Sequence, residues 1–381
     1  MPPERFRGVF TEEISVRGKA IEGVPTSTAG FLGITERGPV VPTLITSFEE
    51  YKRIYGGYLK EGAENRYLTY AIEGFFQNGG WRCYVARVVA SAAGTATADF
   101  IGALQALGKI DEISILCCPD ENSFPAIRAE LVAQCESRKD RFAILQAPNP
   151  APQSATHYPP VTSEFAAYYH PWIRGVDPTT HLPLAIPPGG HVAGIYARTD
   201  TNRGVHKPPA NKAIAGLYEE PENPSAGLIT LLTNSDQEIL KPRGVNALRF
   251  FANRGVLVWG ARTTSNSPEW KYVNVRRLFI FISASIDKGT QWVVFEPNEV
   301  QVWAQVRALV EAFLVQLWRD GALTGTTSKE AFFVRCDRTT MTQDDIDNGR
   351  LIILIGVAAL RPAEFIIVRI GQWTADSKLN E

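Results

Sequence analysis

The C-terminal stretch of the 381-residue chain carries the pattern that most restricts its fold. One amphipathic segment, FEPNEVQVWAQVRALVEAFLVQLWRDGALTG from Phe295, is followed by three short apolar runs rich in β-branched residues. Val302, Val306, Leu309, Val310, Phe313 and Leu317 recur at helical spacing and form one apolar face. Asn298 stands where a cap would accept the free N–H groups of the first turn, Glu299 favours the helix dipole, and Gly321 follows the last turn as a stop. The runs Ala331–Cys336, Leu351–Gly356 and Phe365–Ile370 are too short for helices and read as strands. A strand so close to the chain end either closes its own sheet or is offered to another molecule.

A comparable pattern opens the chain. Phe10, Ile14 and Val16 alternate with Thr11, Glu13, Ser15 and Arg17, with Glu12 breaking the apolar side and Pro2, Pro3, Gly8 and Gly18 bracketing the run. This is a strand, either an arm or the first strand of a local sheet. Next come a strand over Gly30–Ile34, a helix over Glu49–Ile54 capped by Ser47 and stopped at Gly56-Gly57, a helix over Tyr67–Phe76, the turn Asn78-Gly79-Gly80 and a strand over Cys83–Val89. Ile113–Cys117, Phe124–Cys135 and Arg141–Gln146 read as strand, helix, strand, which favours a parallel pair with a right-handed crossover. Residues 148–161, Pro187–Gly190 and Pro208–Asn211 read as loops or turns, and the acidic run from Glu219 to Pro224 as a solvated tip. Leu248–Phe251 and Val256–Trp259 suit a hairpin, and Tyr272–Ile286 a helix ending near Gly289. The fold class is mixed α/β.

Chemistry-bearing motifs are sought and not found. The formal charge is −1, with no basic face, so the footprint of nucleic-acid binding is missing. The longest apolar runs, Leu278–Ile282 and Leu351–Leu360, fall short of the ~20 residues of a membrane span. No apolar leader follows the N-terminus, so no signal peptide is expected. The five cysteines form no CxxC pair, and their odd number points to reduced, buried thiols in a protein made in the cytoplasm. Gly189–Gly194 lacks the GxGxxG spacing and no GxxxxGK[ST] occurs. The histidines at 157, 170, 181, 191 and 206 show no HExxH, and His170 suits an aromatic cluster. Ile346 spoils a calcium-loop reading of Asp344–Gly349, where Thr342 with Asp344 and Asp345 better suits a helix start. No GxSxG is present, and vicinal Cys117-Cys118 suit packing. No catalytic residue, cofactor or metal ligand is assigned, and the reading is of a protein that is not an enzyme.

An ordered set of blocks resembles the contractile tail sheath proteins of myophage tails and related contractile injection systems. GVFTEEI at the start resembles that family's extended arm, with Phe10 in place of the usual Tyr. Gly23–Thr28, Phe31-Leu32-Gly33, Arg37-Gly38-Pro39 and Asn78–Val85 follow in family order. PPGGHVAGIYARTDTNRGVHKPPAN, RGVLVWGART (254–263), EWKYVNVRRLF (269–279), FEPN (295–298) and RPAEF (361–365) are the most characteristic, although His206 and Pro209 stand where relatives often show Trp and Ala. The chain lacks room for the extra surface domains of many large phage sheaths and is more similar to compact, single-chain sheaths of bacteriocins and extracellular injection systems.

The resemblance implies a structural subunit that stacks in six-fold rings around an inner tube and contracts from a metastable extended state to drive the tube through a target envelope. It implies a compact two-part body with N- and C-terminal strand arms: 1–20 and 362–381 as arms, 21–98 as the N-terminal part of the core body, 99–240 as an outer α/β domain, and 241–361 as an inner, tube-facing domain. Donated strands would carry Val9, Phe10, Ile14 and Val16, and Phe365, Ile366, Ile367, Val368 and Ile370. Receiving strands would carry Phe332, Phe333 and Val334, and Leu351, Ile352, Ile353, Leu354 and Ile355. Arg307, Glu311, Arg319 and Lys329 would face the tube. The implied partners are further copies of the chain, an inner tube protein, and baseplate and terminal cap proteins, with no nucleic acid and no membrane insertion. The implied destination is a virion tail or injection particle assembled from bacterial cytoplasm. The competing reading is an α/β enzyme of unknown substrate whose terminal strands pair internally.

Overall fold

The computed structural model describes residues 20–59, 67–89, 97–178 and 180–364. In chain order the strands are β1 (Ala29–Ile34), β2 (Thr43–Ile45), β3 (Cys83–Val88), β4 (Ile115–Cys117), β5 (Phe142–Gln146), β6 (Ala166–His170), β7 (Ile173–Val176), β8 (Pro183–Ile186), β9 (Lys212–Ala213), β10 (Val245–Phe251), β11 (Gly255–Val258), β12 (Phe332–Arg335) and β13 (Leu354–Val357). The longer helices are α1 (Phe48–Tyr55), α2 (Leu68–Gln77), α3 (Thr97–Leu107), α4 (Pro125–Arg138), α5 (Gly189–Arg203), α6 (Asn234–Leu240), α7 (Val273–Thr290) and α8 (Val300–Arg319).

One nine-stranded sheet, ordered β2-β3-β1-β4-β5-β6-β10-β11-β9, forms the body. From β3 to β10 neighbouring strands run parallel, and β2, β11 and β9 add antiparallel margins. Every residue of β1, β4, β5 and β6 is buried, as expected of parallel strands covered on both faces. The pairs α2/α5 and α3/α4 provide that cover. Local signals act as expected: the Ser47 hydroxyl accepts from Glu50 N, Gly56 ends α1 at φ 92°, and the β10–β11 hairpin turns through Asn253 and Gly255 at positive φ.

Two sequence expectations are corrected. The glycine-rich stretch from Gly189, expected as a turn, begins the fifteen-residue helix α5. A Cβ on Gly190 would strike the Ala71 carbonyl, and one on Gly194 the Phe75 carbonyl. These glycines let α5 lie directly on the backbone of α2, so tertiary contact overrides their poor helix propensity. The cap of α8 is Glu299, not Asn298. The Asn298 amide instead bridges Trp303 Nε1 (2.7 Å) and the Arg350 carbonyl (3.2 Å). Gly321 does stand just beyond α8, at φ 76°.

A second core lies beside the sheet, where Leu278, Ile282 and Ile286 of α7 meet Val306, Val310 and Leu314 of α8. One buried ion pair links it to the first. Arg277 donates to both carboxylate oxygens of Asp200 on α5 (2.9 and 2.6 Å) and to the Thr26 carbonyl (2.8 Å). Its guanidinium also lies over the Tyr196 ring. Removing one partner would strand the other charge in a dry site. Asp200→Ala should therefore cost about 3–5 kcal/mol in urea unfolding, and Asp200→Leu combined with Arg277→Met markedly less. A cost near zero for Asp200→Ala would show that the pair is solvated.

Candidate assembly surface

β12 and β13 form a two-stranded antiparallel sheet apart from the large one, with Phe332 opposite Val357, Phe333 opposite Gly356 and Val334 opposite Ile355. Phe332, Val334, Ile355 and Val357 turn toward α8 and join the second core, together with Leu351 and Ile353. Phe333 and Leu354 face outward at 48% and 49% exposure, with Ile352 also exposed. The Phe333 ring covers Gly356, where a Cβ would strike it, and Arg335 lies over the same ring. Among the described residues no other named strand pairs with either, and only the Leu323–Ala359 bridge extends the β13 side. An isolated pair of strands is marginal in water, so this sheet depends on α8 beneath it.

The structure thus brings together Phe332, Phe333 and Val334 with Leu354 and Ile355, while Leu351, Ile352 and Ile353 lead into β13. Next to them opens an apolar groove of 570 Å³ lined by Val302 and Val306 of α8, Leu351, Ile353 and the segment 293–298. At its rim Val294, Phe295 and Val300 are exposed, Phe295 fully so at φ 75°. The strand residues Val9, Phe10, Ile14 and Val16, and Phe365, Ile366, Ile367, Val368 and Ile370, lie outside the described residues. Arg307 and Glu311 form a half-exposed pair at 3.9 Å, one turn apart on α8, and Arg319 and Lys329 are exposed. Such a pair contributes little stability, about 0.3–0.5 kcal/mol.

Two features of this region escaped the sequence reading. Glu364 meets Arg262 through two oxygens, with Nε at 2.8 Å, and has Lys241 and Lys271 at 3.7 and 3.8 Å and the Tyr272 hydroxyl at 3.3 Å. Burial pushes its pKa up, but Arg262 and the two lysines outweigh that and hold it below the usual value. At the other end, Val24 N donates to Ser285 Oγ (3.1 Å), and Ile21 packs where Gly289 leaves room on α7. The blocks RPAEF and RGVLVWGART contain Glu364 and Arg262, but nothing local pairs residues so far apart in the chain.

Three histidines of the body are buried inside it. His157, His170 and His191 are pushed down to about 4, 3 and 4 by burial, and His157 Nε2 meets the Tyr168 hydroxyl at 2.9 Å. His170 packs edge-on against His157. All five cysteines are free and buried. Among the described residues no group of His, Cys, Asp and Glu could hold a metal ion. Among the same residues no helix is long and apolar enough to cross a membrane. Asp120 and Glu121, just past β4, are pushed up to about 7 by burial, with Arg128 and the Gln146 N–H opposing the shift at Glu121. Unfolded, such carboxyls ionise near about 4. Between those values the folded chain keeps protons that the unfolded chain has lost, so this contribution weakens as pH rises, by roughly 1.4 kcal/mol per pH unit for each group. Asp120→Asn should thus gain stability relative to the parent as pH goes from about 4 to about 7, read by urea unfolding. A pH-independent difference would mean that Asp120 is already ionised.

The chain is similar to known proteins along most of its length. The family models for the phage tail sheath protein central domain and the phage tail sheath C-terminal domain match residues 93–264 and 265–372. The anti-feeding prophage helical sheath, solved in its contracted state, is 30% identical with a TM-score of 0.79, over 97% of this chain and 100% of that one. The PVC sheath complex of an extracellular contractile injection system, also contracted, is 29% identical with a TM-score of 0.75, over 98% and 99%. The tail sheath protein of Vibrio phage KVP40 is 24% identical over 200 residues, which are 51% of this chain and 28% of that protein.

Proposed function

Because the chain belongs to the phage tail sheath family, and is thus a structural subunit of a contractile sheath that assembles with its own copies, we propose that its copies are tied together by strand donation onto β12–β13. The observation that supports this most is the small sheet itself. It has unpaired edges, an outward apolar face and an apolar groove alongside. An added strand would pair its backbone with an open edge and place alternate side chains against Phe333, Leu354 or the groove. At roughly 1 kcal/mol net per backbone bond, four or five bonds contribute about 5 kcal/mol, reduced by the cost of ordering the arm. Residues 9–16 and 365–370 are the donors in this reading, from arms spanning 1–20 and 362–381.

The rest of the proposal follows from that mesh. Residues 99–240 form the outer α/β domain, residues 21–98 the N-terminal part of the core body, and 241–361 the inner domain. Arg307, Glu311, Arg319 and Lys329 then face an inner tube within six-fold rings, and baseplate and cap proteins close the two ends. Contraction is a rigid-body repacking between an extended and a tighter lattice, driven by the difference in contacts between bodies. Its setting is a phage tail or injection particle, assembled in bacterial cytoplasm.

Deletion of residues 1–18 should leave a subunit that unfolds like the parent but no longer forms tubes in negative-stain electron microscopy. Normal tubes from the truncated chain would remove the N-terminal strand from this mechanism.

A further inference from the structure

We propose that Glu364 anchors the C-terminal arm, and that α7 acts as the strut setting the distance between the departure points of both arms. This rests on the arm reading above and adds where the arms are fixed. The chain from β13 to Glu364 is held step by step. Ala358 N donates to the Ala331 carbonyl (2.8 Å), Thr324 N donates to the Ala358 carbonyl (2.7 Å), and Asn274 Nδ2 donates to the Leu360 carbonyl (3.1 Å). The path ends at the Glu364 cluster. There Arg262 also donates to the Lys241 carbonyl (2.9 Å), and its backbone N–H donates to Asn246 on β10 (2.7 Å). The anchor is therefore tied to the large sheet, not to the small one that the same chain has just left.

Tyr272 and Lys271, which touch Glu364, immediately precede α7. The N-terminal root runs along the same helix in the opposite sense. Thr26 is held at Arg277, Val24 at Ser285, and Ile21 packs at Gly289. From Tyr272 to Gly289 the helical rise is roughly 25 Å. Both roots are thus fixed to one rigid element at opposite ends.

A pull along the arm meets a bidentate charge-assisted contact, the strongest kind of side-chain hydrogen bond. Without it, residues 361–364 would be free to follow the arm. Each released residue can span up to about 3.3 Å, so the link gains slack and no longer fixes the spacing of neighbouring bodies.

The test uses the full chain with Glu364→Ala, and Glu364→Gln to keep side-chain volume. Hydrogen exchange on unassembled subunits should show faster exchange in residues 358–364 and parent-like protection in α7 and the large sheet. Tubes of either variant should lose the sharp layer lines of parent tubes in electron micrographs. Parent-like exchange at 358–364, or parent-like layer lines from Glu364→Ala, would overturn the anchor. A chain lacking residues 365–381 separates the two readings. If that truncation abolishes tubes while Glu364→Ala does not disturb them, only the anchor is wrong. If the truncation itself assembles normally, donation by the C-terminal arm fails.

Discussion

A guanidinium buried against a carboxylate pins three segments of this molecule at one point. Arg277 is the point where the strand-leading segment at Thr26, helix α5 of the large sheet and helix α7 of the second core meet. Helix α7 serves both hydrophobic clusters, with Val273 and Ile280 in one and Leu278, Ile282 and Ile286 in the other, and the ion pair fixes where α5 and the Thr26 segment sit along it. A buried pair of this kind is costly to form and more costly to break. Its contribution is best seen as specificity: only one arrangement of the three segments satisfies both charges.

That constraint matters for a sheath subunit because contraction moves bodies past one another. The central strands of the large sheet are covered on both faces and its margins are short antiparallel strands, whereas the β12–β13 pair stands apart with an outward apolar face. The division separates tasks physically. One region is saturated with internal contacts, and the other keeps backbone groups and apolar side chains available.

Much of this could be read along the chain where the signal was local. Ser47 at its cap, Gly56 and Gly321 after their helices, the 253–255 turn and the Thr342 capping box all lie within a few residues of what they control. The parallel order of β4 and β5 followed from one intervening helix. The sequence could not show α5, because Gly190 and Gly194 look like breakers until α2 is beside them. The same holds for Asn298, whose amide is recruited by Trp303 and Arg350 before it can cap. For the assembly surface, the apolar runs Ala331–Cys336 and Leu351–Gly356 were visible as strands, although Ala331 ends a helical turn and pairing of the second run begins only at Leu354. Glu364 was hidden in a motif whose partners lie far upstream, at Lys241 and Arg262, and charge pairing over such a separation has no sequence period to reveal it.

The contact between α2 and α5 has a mechanical meaning. Where Gly190 and Gly194 bring two helical backbones together, no long side chains lie between them to change rotamer and absorb strain. Close-packed interiors have low compressibility, and a seam built from main chain has fewer soft torsions still. Displacement of α2 therefore passes to α5 with little loss, as in a lever rather than a spring. In a sheath subunit, such a seam is a poor place to store elastic energy.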